Sequence, residues 1–475
     1  MTDNLSPVGL NNPADETSLR YMLKLATPMV VTTISFTIMQ FVDRFMVSRL
    51  GTNALAAIMP AAFVSFLPGA LALGSLASLN AYVSQSFGKG NMRDCSNYFW
   101  QAVYMGFTYF FLVLIIMWPI APQIFKTMGQ PTSVIGMEVI YFRIMLYAQF
   151  VVVISWSSNQ FFMGIHRPVI TMCASLSGQI VNIIANYILI FGKLGLPAMG
   201  IAGAGWGTFI GMAVSDLINI SVFLSPKINN IFHSRHTFGI DFGKMYDLFR
   251  IGLPAGVGLT MNVALWGVIL SGLVGRFGEE SLAATSAVIS YTNLSVMPIV
   301  GISMALTAAA GKTIGMDKKD LVIKQTNMCL RISILYMGII GICFLLFRHS
   351  LMEFWSSNEK VINAGANILV FAAIYQVFQA ARVIYSGSLR GAGDTVWLAF
   401  ASGFGSVIIL GLGGLLITNI LPSIGPLGPW IAAMLSVVIV SLAIHHRFKS
   451  RRWMKIDLFK RRAVGVPIQN GSAIE

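Results

Sequence analysis

Twelve apolar runs fill the chain between residues 24 and 447, each about as long as a helix needs to cross a hydrocarbon core of about 30 Å at ~1.5 Å per residue. They lie near 24–50, 54–86, 97–121, 138–163, 168–191 and 199–224, then 248–274, 282–310, 325–347, 361–386, 395–420 and 428–447. With 56% hydrophobic and 11% charged residues, the 475-residue chain has too little polar surface for a water-soluble domain. The runs also lack the period-2 alternation of a membrane barrel, which favours helices. The expected fold class is an all-α polytopic membrane protein with twelve transmembrane helices.

The second six runs repeat the first. Gly51 and Gly278 stand 227 residues apart, and the same offset pairs Arg49 with Arg276, Leu55-Ala56-Ala57 with Leu282-Ala283-Ala284, Gly74 with Gly301, Gly88 with Gly315 and Gly164 with Gly391. Pro28 and Pro254 match one residue out of step. An even number of crossings returns each half to its starting side, so the two six-helix lobes form a parallel internal repeat, an arrangement used by transporters with the substrate path between halves. The expected divisions are a cytosolic tail (1–23), an N-lobe (24–224), a cytosolic linker (225–247), a C-lobe (248–447) and a basic cytosolic tail (448–475).

Orientation follows from charge. Lys89, Arg93, Arg167, Lys227, Arg235, Lys244, Lys312, Lys318, Lys319 and Arg390 fall in alternate loops, while the intervening loops are poorer in basic residues. The positive-inside rule then places both termini in the cytosol. A formal net charge of +14 would raise nucleic acid as a partner of a soluble protein; in this chain the excess sits in loops and in the tail HHRFKSRRWMKIDLFKRR, which suits anionic lipid instead. The first 20 residues have no basic region ahead of an apolar core and do not resemble a cleaved signal peptide. A multi-pass plasma-membrane protein is expected.

One acid organises the first run. Asp43 lies about six residues before Arg49, roughly 10 Å beneath the outer interface at 1.5 Å per residue, where an ionised group costs about 2.5 to 3.5 kcal/mol on insertion scales. Gln40 shares its face one turn below. Asn186 and Asn182 of the fifth run, and Thr208 of the sixth, fall in the same layer. A carboxylate with two amides and a hydroxyl offers oxygen ligands to a proton or a small hard cation such as sodium; the amides and hydroxyl could equally join helices, and Asp43 could pair with Arg44 or Arg49. Asp216, in the inner half of the sixth run, is open to a cavity role or a packing role. Arg382, five residues before Gly387, either snorkels to the interface or faces the cavity, where it would disfavour cations.

Other chemistry is not encoded. Gly311-Lys312-Thr313 resembles the end of a phosphate loop, but Leu306 occupies the required glycine position. His233 and His236 sit in the linker, and Cys95, Cys173, Cys329 and Cys343 are scattered, so neither a zinc site nor a disulfide framework is implied. Neither an enzyme nor a cofactor is expected. Phe36, Phe41, Phe45, Phe63, Phe66, Met261, Trp266 and Met297 either line a greasy pocket or face lipid and core.

Pro28, Phe41-Val42-Asp43-Arg44, Arg49-Leu50-Gly51, Leu55-Ala56-Ala57, Gly252-Leu253-Pro254 and the run from Gly387 to Thr395 together resemble the multidrug and toxic compound extrusion (MATE) family over nearly all of residues 20–447. The resemblance implies two lobes around a V-shaped cavity and export of amphipathic, often cationic compounds in exchange for sodium ions or protons. It also implies a coupling role for Asp43 and helix bending at Pro28, and matches Asn182, Asn186 and Thr208 to family positions. Some branches carry an acid where this chain has Asn186. Branches with a C-lobe cation site carry acids where this chain has Asn262 and Gln379, which cannot ionise, so coupling is expected to rest on the N-lobe. The runner-up is a flippase for lipid-linked saccharides or other lipids, which would present a cationic cavity.

Overall fold

The computed structural model describes residues 18–128, 130–265 and 271–459. Twelve transmembrane helices form two six-helix lobes. The N-lobe comprises α1 (Leu19–Ser48), α2 (Thr52–Leu76, continuing as Ser78–Gly88), α3 (Met92–Thr127), α4 (Thr132–Gly164), α5 (Pro168–Phe191) and α6 (Ile201–Phe223). The C-lobe comprises α7 (Phe242–Ala264, with Ser271–Gly275 further on), α8 (Glu279–Gly315), α9 (Lys319–Leu346), α10 (Glu359–Gly391), α11 (Thr395–Ile420) and α12 (Leu427–Lys449). Among the described residues eleven helices are individually long and apolar enough to cross a membrane; the seventh expected run, 248–274, includes residues outside the described set, as do Trp266, the start of the N-terminal tail and the end of the C-terminal one.

The duplication is visible in the backbone. Gly51 precedes α2 with φ 109° and Gly278 precedes α8 with φ 99°, both in a region that side-chain-bearing residues avoid. Gly88 and Gly315, partners in the repeat, meet each other across the lobes: a Cβ built on Gly88 would stand 2.1 Å from the Lys312 carbonyl oxygen, and one on Gly315 would stand 2.3 Å from that of Gln85. The pseudo-twofold axis therefore passes between two residues that correspond to each other. Gly74 closes on Gly256 of α7, while its partner Gly301 closes on Met29 and Val30 of α1.

We call the end where α1 begins and α12 finishes the terminal end. There Gln85 Nε2 donates to the Gly391 carbonyl (2.9 Å), Tyr82 Oη donates to that of Asp247 (3.1 Å), and His166 Nε2 lies 3.1 Å from that of Ala308. Burial, with Lys312 nearby, pushes the His166 imidazole down to about 3. The hydrogen bonds joining the lobes continue up to Thr33 Oγ1, which donates to the Met297 carbonyl at mid-bundle (3.2 Å). Just below that level Pro28 interrupts α1, with Thr32 Oγ1 donating back to the Pro28 carbonyl (2.8 Å).

Four local features differ from a reading of uniform helical runs. α2 breaks at Ala77, where Ser75 Oγ donates to Leu71 O (2.7 Å) and Gly252 of α7 presses on the Ser75 carbonyl. α11 contains two π-helical stretches, Phe400–Phe404 and Val407–Leu412, in a segment rich in glycine. The linker is not loose: the short helix Pro226–Phe232 and the segment after it are fastened to α3 by Trp100 Nε1 donating to Ser234 O (2.9 Å) and by Gln101 Nε2 donating to Gly239 O (2.9 Å), and Lys244 in the first turn of α7 pairs with Asp94 of α3 (2.5 Å). The start of the C-terminal tail also folds back. Trp453 stacks on Phe448, Leu458 fills the space above Gly393 of the C-lobe, and Phe459 packs edge-on against Tyr82 of the N-lobe with the Lys89 ammonium 4.0 Å from its ring centre.

Candidate functional site

The site begins with the α5–α6 hairpin. Gly192 and Gly200, both at positive φ, turn the chain between the helices, and the two then run together along a seam of Gly178, Gly203, Gly207 and Gly211. The closeness has a purpose at two positions. A Cβ on Gly207 would lie 2.0 Å from Asn186 Oδ1, and one on Gly211 would lie 2.5 Å from the Asn182 Cβ. The glycines thus leave room for two amides inside the hairpin.

α1 packs alongside and brings Asp43 to this pair. Asn186 Nδ2 donates to Asp43 Oδ1 (2.7 Å) and lies 3.5 Å from Asn182 Oδ1; Asn182 Nδ2 lies 3.5 Å from Thr208 Oγ1, which donates to the Ala204 carbonyl (3.0 Å). Asp43 is half-buried, and Asn182, Asn186 and Thr208 are buried. Asp43 forms no ion pair with Arg44 or Arg49, whose guanidinium lies over the Phe45 ring. Asn186 Oδ1 is buried without a hydrogen-bond partner. Such an orphaned acceptor beside a carboxylate is what a bound cation, or a water accompanying a proton, would satisfy. Among the described residues no three His, Cys, Asp or Glu side chains come together, so the oxygen set suits a monovalent ion or a proton rather than a multi-carboxylate metal cage.

Of the residues placed by helical spacing, Asp43, Asn182, Asn186 and Thr208 come together. Gln40 does not join them: its side chain is exposed. One neighbour carries no signal in the sequence. Tyr141 of α4, buried, lies within electrostatic reach of Asp43 and Arg44, yet a tyrosine in an apolar helix looks like any other core aromatic.

The corresponding region of the C-lobe is built differently. Asn262 on α7 is half-buried; on α10, Gln376 Nε2 donates to Ser295 Oγ (2.8 Å) and Gln379 Oε1 accepts from Arg382 Nε (2.9 Å). The sequence suggests that α10 stops near residue 386, but Gly387 packs tightly on Ser303 and the helix continues to Gly391. Arg382 is therefore about 13 Å inside the helix end at 1.5 Å per residue, and its Nε is turned to Gln379 rather than outward. Deeper toward the terminal end, Arg390 Nη2 donates to Ser303 Oγ (3.1 Å). Asp216 lies on the inner half of α6, accepts from Ser155 Oγ of α4 and is buried.

Two helical lobes duplicated in parallel, with a polar ion-sized site inside one of them, define a membrane transporter. Residues 28–188 and 257–413 match the MatE family model, one block in each lobe. The chain belongs to the MatE family. It is 27% identical over 388 residues to a probable multidrug resistance protein NorM of Mesorhizobium japonicum, covering 79% of this chain and 82% of that protein, and 27% identical over 387 residues to a multidrug resistance protein NorM of Aliivibrio fischeri, covering 78% and 81%. The fold matches a crystal structure of MATE in complex with MaL6 at a TM-score of 0.85 and 18% identity, covering 96% of this chain and 100% of the other.

Proposed function

We propose that the protein is a secondary active antiporter that exports amphipathic, cationic organic compounds in exchange for sodium ions or protons, with Asp43 as the coupling residue and Asn182, Asn186 and Thr208 around it. The carrying observation is the half-buried Asp43 carboxylate, answered by a neutral amide and adjoined by the orphaned Asn186 Oδ1. The orientation is the one the basic loops favour, with both termini cytosolic in a bacterial inner membrane, the tail against anionic lipid and the chain acting as a monomer. The terminal end is then the cytosolic end.

The exchange follows from unequal binding. A cation at Asp43 shifts the carrier only if the two orientations bind it with different affinity, since equal affinity shifts nothing. α1 is suited to transmit that difference, because its distal half carries Asp43 while its proximal half leans on Gly301 of α8 next to Pro28. Binding at Asp43 draws the distal half of α1 toward α5 about the proline and lowers affinity for cargo. Loss of the ion to the cytosol resets it.

The test is dye efflux from vesicles containing the purified chain, with sodium and proton gradients imposed separately. One gradient should drive efflux in the native chain, and Asp43→Asn should reduce it to the level of empty vesicles while leaving insertion intact. Unchanged efflux in that variant rejects the assignment.

A further inference from the structure

The N-lobe contains a second carboxyl that the site at Asp43 does not use. Asp216 is 6% exposed; among the described residues it accepts one hydrogen bond, from Ser155 Oγ, and its Oδ2 is buried without a partner. One turn further along α6, Asn219 is 1% exposed, and both Oδ1 and Nδ2 lack partners. An amide with neither end bonded is not holding helices together.

α4 and α6 run in the same direction, and Ile144 against Gly205 and Ser155 against Asp216 show the same register, an offset of 61 residues. That register sets Ser158 level with Asn219, and Ser158 Oγ is also buried without a partner. Four unsatisfied atoms, Asp216 Oδ2, Asn219 Oδ1, Asn219 Nδ2 and Ser158 Oγ, thus occupy one level of the α4–α6 interface. This is the number of polar groups that holds an internal water.

Among the described residues no counter-ion stands beside Asp216. α4 carries no Asp, Glu, Lys, Arg or His from Ile144 to Ile165, α5 carries none from Pro168 to Phe191, and Asp216 is the single charged residue of α6. Of the other titratable groups on these elements, Tyr147, Cys173 and Tyr187 are exposed, as is Lys227 on the short helix after α6, while Glu138, Tyr141 and Arg143 lie toward the opposite end of α4. On α1, which touches α6 nearer the distal end, the groups are Asp43 and Arg44. A buried carboxylate without a cation or a full set of donors costs several kcal/mol.

We propose that Asp216, with Ser155, Ser158 and Asn219, forms a second cation-binding position in the N-lobe, whose guest is a proton exchanged with an internal water. The carboxylate takes the proton at Oδ2 and returns it to the same water, while Ser155 keeps its donation to Oδ1 and Asn219 holds the water through both amide atoms. The position lies about 12 Å below Thr208, eight residues along α6 at 1.5 Å per residue, and Ser215 continues the Thr208 face two turns on, against Gly178. Asp216 therefore stands between the Asp43 layer and the terminal end. Its participation in exchange rests on the antiport reading above; its protonation does not.

The experiment is infrared difference spectroscopy of the full chain in lipid vesicles, comparing acid with neutral pH and following the carbonyl band of protonated carboxyl groups. Asp216→Asn should remove one band and leave the one that Asp43→Asn removes. Ser155→Ala should shift the Asp216 band by deleting its hydrogen bond, and Asn219→Leu should shift it by drying the level; these two variants keep the test open if Asp216→Asn does not fold. A spectrum unchanged in all three variants overturns the proposal. If dye efflux from the native chain responds to neither gradient while the Asp216 band persists, the antiport reading fails and the second position stands.

Discussion

The two lobes share a backbone plan and have opposite interiors. In the N-lobe, membrane-embedded acids include Asp43 and Asp216, each answered by a neutral side chain, and Glu138, buried with neither carboxyl oxygen bonded. In the C-lobe, Arg382 and Arg390 are bonded to Gln379 and Ser303, and Asn262 and Gln379 stand where the family resemblance would allow acids. The positions that remain alike are those the backbone needs, such as Gly51 with Gly278 and Gly88 with Gly315. A duplicated helical lobe thus keeps the glycines that allow close approach and is free to change the side chains inside.

The sharpest way to break this comparison is to remove the acid on one side. Asp43→Asn should eliminate gradient-driven dye efflux, the largest effect expected; replacing Asn262 or Gln379 with Ala should leave the ion requirement unaltered in the same vesicle assay, and a loss of ion dependence there would move coupling to the C-lobe.

Next in size is the shared contact. Gly88→Val places a side chain where a Cβ alone would meet Lys312 O at 2.1 Å, so the lobes should be forced apart at a cost of about 1–3 kcal/mol. Cysteine cross-linking across the terminal end should fall, and Gly315→Val should do the same if the lobes are equivalent there.

Gly207→Ala tests the N-lobe site without touching an ion ligand. Displacing the Asn186 amide should cost about 1–3 kcal/mol, or about 5- to 150-fold in ion affinity, read as the ion concentration that gives half-maximal efflux. Unchanged affinity would mean that Asn186 is not part of the site.

A smaller effect is expected from pH at the terminal end. His166 is held neutral in the closed protein, its imidazole lowered from 6.5 to about 3. An opened chain takes up a proton that the closed one does not, so this contribution is complete above pH 6.5 and is lost progressively as pH falls from 6.5 toward 3. Thermal unfolding of the native chain should weaken across that window, and His166→Gln should flatten the slope. The smallest change is expected from Arg382→Gln, with stability altered by about 1 kcal/mol and dye preference moved toward cations. An unchanged preference between a cationic and an anionic dye would show that Arg382 does not meet cargo.

The crossing helices and their duplication were legible because membrane length and glycine spacing are properties of the chain itself. The Asp43 layer was legible for a related reason: residue count along a helix gives depth, and Asn182 and Asn186 share a face by their spacing. Gln40 shows the limit, since spacing locates a face but not the neighbour that covers it. Tyr141 gave no contrast with its apolar surroundings. The extension of α10 past Gly387 was hidden because glycine reads as a helix stop, whereas close packing on Ser303 keeps it helical. The return of the tail was equally hidden, because it depends on contacts between residues far apart in the chain.

That return has a practical consequence. Leu458 packs on Gly393 of the C-lobe and joins the N-lobe core around Tyr82 and Tyr98, where Phe459 also lies, so the last described residues straddle the seam between the lobes. A bulky label attached beside Phe459 would bear on that bridge, and so on turnover.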